Sequence, residues 1–442
     1  MLVRFICENF LSFDKEMEFL NTAYSRSSKL KNHIYREKDG HIPILKGTVL
    51  YGANASGKSN FFKAINFSKK LVLNYKKEIN IYNILSTQNK FNNSKKTKFE
   101  YEFKIGKNIF NYGFVLSSEE VLEEWLYKKG LNKKSVEKPI FIRNKKDIFD
   151  NEEINRIVSK EKKDKNFINY SIKALKQNQL FLHRLKEDNI KYIEQFFEWF
   201  RKIILVTPKT SAKSISIIKD DVFNFIKKCL PNLDNRIDNI ELEKNQIFKA
   251  KDIIDTPITL AEKIFNALES SPNGVCFIDG TPMKKGKTFL LKENDKIFQI
   301  EISIQRKDKS FALKEESDGI NRLFDLIPFL FDLKNNNKIY LIDEIENSLH
   351  PHISKTIIKM FYEFTKNKES QLIFSTHDTN LMDLKLMRKD EIWFVEKDKN
   401  MNTNIYSLAE FKIRDDLVPS RGYLQGRFGT IPFLGEWKKL CK

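Results

Sequence analysis

The rhythm of apolar and polar positions changes twice along the chain. Near the start, "LVRFIC" (2–7) and "KEMEFL" (15–20) read as two short strands, the first running into "ENFLSF". Residues 21–41 are polar and basic and predict a loop. "ILKGTVLYG" (44–52) is apolar enough for a buried strand, and a helix is expected from Lys58 to about Lys76. After a polar loop over 83–98, "KFEYEFKIG", "NIFNYGFVLS" and "VLEEWLYKKG" alternate as antiparallel strands do. From Asn151 the texture turns helical, and "NQLFLHRLKEDNIKYIEQFFEWF" sets Leu182, Leu185, Ile193, Phe196 and Phe200 on one stripe. "TPKTSAKS" reads as a linker and "SSPNG" as a turn. Regular patterning returns with "KIFQIEISIQ" and continues through "KIYLI", "QLIF" and "EIWFV", three apolar runs with helical stretches between them. Such runs predict the buried strands of a mostly parallel sheet. No heptad persists, so no long coiled coil is expected. The expected division is 1–150, a mainly helical insert over 151–296, and 297–442.

Composition narrows the class. With 442 residues, 41% of them hydrophobic, the chain can bury an ample core in two or three units of ~100–200 residues. No run approaches the ~18 uninterrupted apolar residues that cross a bilayer. "MLVRFICENFLSF" lacks the segments of a secretory leader, so a cytoplasmic protein with no membrane partner is expected. Cys7, Cys229, Cys276 and Cys441 form no CxxC, which argues against a zinc or disulfide framework. The net charge of +19 would suit a nucleic-acid groove, but 64 of the 78 basic residues are Lys and 14 are Arg, a bias that an AT-rich coding sequence also produces.

The chemistry sits in short motifs. "GANASGKS" (52–59) matches G-x4-G-K-[ST] between a strand and a helix. Gly52 and Gly57 permit turns in which successive N–H groups converge on phosphate oxygens, and the helix N-terminus adds positive potential. Lys58 would reach the β/γ-phosphates of ATP and Ser59 would ligate Mg2+. "KIYLIDEIE" ends an apolar strand in Asp343, which can hold Mg2+, and Glu344, which can polarise the attacking water. "EESDGINRLFDL" places Ser317 and Gly319 before a helix, a pattern that also serves as an ordinary helix cap. "STHD" places His377 just past a strand. His350, His352 and His377 lack the spacing of a zinc site.

In this order, these motifs resemble those of ABC-type ATPases of the SMC- and RecF-like branch, and within it the compact AAA15 family. The segments behind the resemblance are "FICENFLSF", "YGANASGKSN", "ESDGINRLFDL", "YLIDEIENSLHP", "FSTHD" and "GYLQGRFGTIPFL". The fold it implies is α/β: a P-loop ATPase head with a mixed, largely parallel core sheet, an antiparallel N-terminal β-lobe and a mainly helical insert. It implies that Gly52, Asn54, Gly57, Lys58, Ser59 and Asn60 bind ATP, and that Ser317 and Gly319 complete another copy's site. It further implies Glu344 and His377 as catalytic groups with Lys58, and Ser348 in the loop at a dimer interface. Ser59, Asp343 and a glutamine, here Gln88, would hold Mg2+. Asp318 departs from the glycine that many ABC proteins have there.

Relatives of this kind look like the ATPase subunits of phage-defence systems such as AbiL, PARIS, Septu and OLD. The function implied is an ATP-hydrolysing switch that dimerises or forms larger oligomers, senses DNA or a phage protein, and controls a nuclease or toxin encoded nearby. The alternative is a RecF-like DNA-repair ATPase. OLD-type relatives carry a nuclease after the ATPase. The 65 residues after His377 hold no D-x-D pair, so the expectation is that this chain cuts nothing itself. If the positive charge serves a groove, affinity for duplex DNA measured by anisotropy should fall by orders of magnitude between about 50 and 200 mM salt. A flat salt profile, or no binding, would return the lysines to compositional bias.

Overall fold

The computed structural model describes residues 1–24, 30–76, 84–149, 151–208, 220–253, 256–271, 274–281, 284–411 and 418–429. They belong to two units: 1–205 with 336–345 and 361–442, and 206–335 with 346–360.

The first unit holds two large sheets. One has seven antiparallel strands in the order Asp147–Phe149, Lys138–Asn144, Val121–Gly130, Asn108–Leu116, Thr97–Ile105, Leu2–Glu8 and Met17–Leu20. Alternation along Thr97–Ile105 turns Phe99, Tyr101 and Phe103 into the core and Glu100 and Glu102 to the other face. There the Arg4 guanidinium bridges the two carboxylates at 2.6 and 3.3 Å. The other sheet runs Ile203–Val206, Ile339–Ile342, Gln371–Thr376, Gly47–Tyr51, Ile392–Lys397 and Thr403–Ser407. Its strands from Ile339–Ile342 to Ile392–Lys397 are parallel, and Thr403–Ser407 returns antiparallel. The three late apolar runs thus pair around Gly47–Tyr51, as the sequence predicts.

The helix Lys58–Leu73 buries Phe61, Phe62, Ala64, Ile65 and Val72 in a core shared with Phe5, Phe19, Leu50 and Ile373. Phe61 stands edge-on to Phe5 at 5.9 Å and to Phe19 at 5.0 Å. The predicted stripe is buried, but as two helices, Phe181–Glu187 and Lys191–Arg201, because Asn189 takes a left-handed φ of 54° between them. Trp199 stacks on Phe103 at 4.1 Å, which fastens the second helix to the antiparallel sheet. The first is held by a buried carboxylate. Glu124 accepts the N–H groups of Phe181 and Leu182 at 2.5 and 3.1 Å and the Tyr112 hydroxyl at 3.0 Å. Arg143 donates to the Gln179 carbonyl at 2.5 Å from the same side.

The second unit corrects the expected insert. Helices Glu152–Lys162, Phe167–Lys173, Phe181–Glu187 and Lys191–Arg201 belong to the first unit, whose first segment ends at Leu205 rather than near 150. The chain beyond Leu205 is not mainly helical: Asn239–Ile247, Lys296–Arg306, Lys284–Glu293 and Gly274–Thr281 form an antiparallel sheet, with Lys309–Ala312 also paired to Lys296–Arg306. Asn239–Ile247 hides from pattern reading because Glu243–Gln246 are all exposed, so its place is set by the backbone ladder to its neighbour. Helices Asp220–Leu233, Ile258–Glu269 and Asp318–Asn335 and most of Pro351–Phe364 also belong to the unit, and Phe225 meets Phe331 at 5.4 Å. The C-terminal motif is described as far as Gly429. Phe428 stacks on Phe394 at 5.2 Å, and the remainder, with Cys441, lies outside the described residues.

His183 caps the far end of the helix after the phosphate loop: its Nε2–H donates to the Val72 carbonyl at 2.9 Å. Burial lowers its pKa from 6.5 to about 4, against the carbonyls that favour a proton there. The unfolded chain therefore binds this proton at a higher pH than the fold does. Its contribution to stability is complete above pH 6.5 and is lost as pH falls toward about 4. Denaturant midpoints across that window should fall with acid. In His183→Gln the slope should be shallower by up to about 1.4 kcal/mol per pH unit.

Candidate functional site

The site is built where parallel strands end. Tyr51, Ile342, Thr376 and Lys397 are the last residues of four neighbouring strands, and loops leaving that edge carry the motifs. Register fixes their levels: Thr376 lies beside Tyr51, and Ile342 beside Phe374. His377 is therefore level with Gly52, and Asp343 with Ser375. Gly47–Tyr51 and Ile339–Ile342 are two strands apart, about 10 Å. Ligands of open α/β sheets bind at this edge.

The phosphate loop leaves Tyr51 and enters the helix at Lys58. A side chain at Gly52 would run into the Val395 carbonyl, and one at Gly57, where φ is 118°, into Thr403. Both glycines let the loop pack closely against the sheet, and with the Lys58 ammonium and the helix N-terminus beside it the residues present fit an oligophosphate. Ala55 is also left-handed, at φ 62°, and Asn54 lies at the exposed crest. The Lys58 ammonium donates to the Gly52 and Ala53 carbonyls at 2.8 and 3.0 Å, lying along the cradle. Ser59 is half-buried in the first helical turn. Asn60, expected at the nucleotide, donates its amide to Ser12 Oγ at 2.8 Å.

Asp343 and Glu344 leave the neighbouring strand. Asp343 is 8% exposed, and its Oδ1 accepts the Ser375 hydroxyl at 2.5 Å. Glu344 has φ 51°, and its N–H donates to the same Ser375 oxygen at 2.9 Å. A carboxylate at Asp343 and a hydroxyl at Ser59 are the hard oxygen donors that Mg2+ prefers. His377 is exposed, and the strand before it is buried throughout.

Ser317 and Gly319 belong to the second unit. The Ser317 hydroxyl accepts the Ile320 N–H at 3.3 Å, as an N-cap. A Cβ at Gly319 would lie 2.8 Å from the Ser348 carbonyl. The glycine thus admits the loop of Ser348, itself left-handed at φ 60°. Gln88 donates its amide nitrogen to the Lys95 carbonyl and Thr97 Oγ1 at 3.0 and 3.2 Å, which leaves Oε1 as the atom a cation would take. The rings of His350 and His352 stack at 5.3 Å, and the described residues hold no group of three or more His, Cys, Asp or Glu suited to a metal.

Sequence reading missed three residues that brace the site. Thr403 Oγ1 lies 2.8 Å from the Ser56 carbonyl and 2.7 Å from Ser12 Oγ, which ties the phosphate loop to the turn after the first strand. Ser12 lies inside "ENFLSF", but its partner is 391 positions away and no local pattern marks it. Ser375 lies inside "STHD", two residues before His377.

Three SMC head structures align over most of both chains but diverge in detail. An SMC head bound to the C-winged helix domain of ScpA gives a TM-score of 0.42 at 15% identity, covering 92% of this chain and 97% of that one. The SMC head domain from Thermotoga maritima gives 0.40 at 11% identity over 92% and 98%. A Pyrococcus furiosus Smc head with an extended coiled coil, bound to the C-terminal domain of ScpA, gives 0.34 at 14% over 97% and 98%. At these scores the fold reading rests on the strand order and loops described above. The "Probable ABC transporter ATP-binding protein p29" of Mesomycoplasma hyorhinis is 37% identical over 73 residues, 15% of this chain and 29% of that protein's length. No helix among the described residues is long and apolar enough to cross a membrane. A family profile matches residues 48–383, from the strand before the phosphate loop to just past His377. The chain belongs to that family, described as "AAA domain, putative AbiEii toxin, Type IV TA system".

Proposed function

We propose that this protein is a Mg2+-dependent ATP hydrolase that works as a switch, the sensor and regulator subunit of a prokaryotic antiphage defence system. The observation that supports the catalytic reading is that the loops carrying Lys58, Ser59, Asp343, Glu344 and His377 all leave the same edge of three neighbouring parallel strands. The family description, which names a toxin of a toxin–antitoxin system, supports the biological role, as does the resemblance to phage-defence ATPases. In this reading the chain acts as a homodimer or higher oligomer, with a separate effector nuclease or toxin as its partner. The +19 charge favours a second reading, a DNA-repair ATPase of the RecF type.

The roles follow from placement. Backbone N–H groups of residues 53–59 and the helix N-terminus hold the phosphates, and Lys58 exchanges its two carbonyl partners for phosphate oxygens. Ser59 and Asp343 would hold Mg2+, with Gln88 as a further donor. When bound, Mg2+ neutralises charge on the β- and γ-phosphate oxygens. Glu344 takes a proton from the attacking water, and His377, level with Gly52, contacts the terminal phosphate. Ser317, Gly319 and Ser348 lie together in the second unit and serve the site of another copy.

Lys58→Ala should lose nucleotide binding in equilibrium dialysis. Glu344→Gln should bind ATP yet turn over at least about 100-fold more slowly, the scale of a lost general base. Unimpaired turnover in Glu344→Gln would overturn the assignment.

If Ser317 acts in trans, Ser317→Ala should still bind ATP but cease to hydrolyse it. ATP should then double the mass of Glu344→Gln in light scattering. An unchanged mass, with turnover per chain independent of concentration, would remove the trans arrangement.

A further inference from the structure

Ser375 is fully buried at the penultimate position of Gln371–Thr376. It makes three contacts with three consecutive residues of the neighbouring loop. Its hydroxyl donates to Asp343 Oδ1 at 2.5 Å and accepts the Glu344 N–H at 2.9 Å, and its carbonyl accepts the Ile345 N–H at 3.1 Å. The directions are unambiguous. A carboxylate offers only acceptors and an amide N–H only a donor, so the single hydroxyl proton goes to Asp343 and a lone pair takes Glu344.

This arrangement acts on both acids. With Oδ1 held by Ser375, Oδ2 is the Asp343 oxygen that the geometry leaves for a cation. Glu344 has a left-handed backbone, at φ 51°, which residues with side chains seldom adopt without several contacts to enforce it. The direction of the Glu344 side chain depends on that backbone angle, and so on the N–H bond to Ser375.

We propose that Ser375 is a positioning residue of the hydrolytic centre. From one hydroxyl it orients the carboxylate that faces the cation and the backbone that aims the general base. The inference rests on the ATPase reading above. It adds a link that the motifs do not contain: His377 comes two residues later in the chain, so a shift of that strand end at the terminal phosphate also shifts the clamp on Asp343 and Glu344.

The test compares wild type, Ser375→Ala, Ser375→Thr and Glu344→Gln. In Ser375→Ala, affinity for ATP in EDTA should stay within about twofold, because the phosphate loop is untouched. Turnover at saturating ATP should fall by about 10- to 100-fold, and the Mg2+ concentration for half-maximal rate should rise several-fold, as happens when residues that orient metal ligands are removed. Ser375→Thr keeps the hydroxyl and should recover most of the loss. If Ser375→Ala does not fold, Ser375→Cys, similar in size and a poor hydrogen-bonding group, takes its place. Hydrogen–deuterium exchange of nucleotide-free protein supplies a readout independent of catalysis: the amides of Glu344 and Ile345 should exchange faster in Ser375→Ala. Turnover and Mg2+ dependence within twofold of wild type, while Glu344→Gln is inactive, would overturn the proposal and leave the ATPase reading standing. If no form hydrolyses ATP, that reading fails, and unchanged exchange at Glu344 and Ile345 would then overturn the clamp.

Discussion

The ladder between parallel strands is the constraint on which the rest depends. Gly47–Tyr51 lies between Gln371–Thr376 and Ile392–Lys397, and Ile339–Ile342 pairs on the outer side of Gln371–Thr376. Strand side chains alternate between faces, so a slip of one residue in any pair would turn its buried set outward. In these strands nearly every position is buried, and apolar pattern alone would tolerate such a slip. Something else has to set the register.

Polar groups at the opposite ends of the strands do so. The Gln371 side chain accepts the Leu2 N–H at 2.5 Å and donates to the Leu2 and Leu45 carbonyls at 2.9 Å each. Asn21 donates to the same carbonyls and accepts the Thr48 hydroxyl at 2.6 Å. The Lys46 ammonium donates to the Thr365 and Lys366 carbonyls at 2.6 and 2.7 Å, and burial lowers its pKa to about 8. His33 pairs with Glu391 at 2.9 Å, and the Tyr362 hydroxyl donates to the same carboxylate at 3.0 Å. Each group is satisfied only in one register, because a buried donor left unpaired costs about 1–3 kcal/mol. Gly47 is bare because the Tyr362 ring occupies the space a side chain would need. Function gathers at one end of the sheet, and its alignment is set at the other.

The legible part of this chain was the part written locally. A phosphate loop, an acidic strand end and a histidine after a strand are contiguous residues, and the three buried runs that carry them show as apolar stretches. The antiparallel lobe was legible for the same reason, since Phe99, Tyr101 and Phe103 alternate with charged residues. What failed to show was non-local. Ser12, Thr403 and Ser375 are ordinary small polar residues whose meaning lies in side-chain bonds to partners 31 to 391 positions away. The division near 205 was equally hidden, because the helices of 152–201 join the first unit through aromatic contacts such as Trp199 on Phe103. The sheet of the second unit has an outer strand with four exposed polar residues in a row.

The boundary between units gives the acidic turn a particular mechanical position. The chain leaves the first unit after Ile345, one residue beyond Glu344, and returns to it at Phe361. Glu344 therefore sits beside the covalent link between two bodies that each carry part of the motif set. A carboxylate that must meet one water needs its backbone fixed to within about half an ångström, while the next few residues belong to another unit. The bonds from the buried strand residue Ser375 to Asp343, Glu344 and Ile345 supply that fixation, and they end where the first unit ends. The left-handed φ of Glu344 is the conformation through which the chain turns away while its acid stays referenced to the sheet.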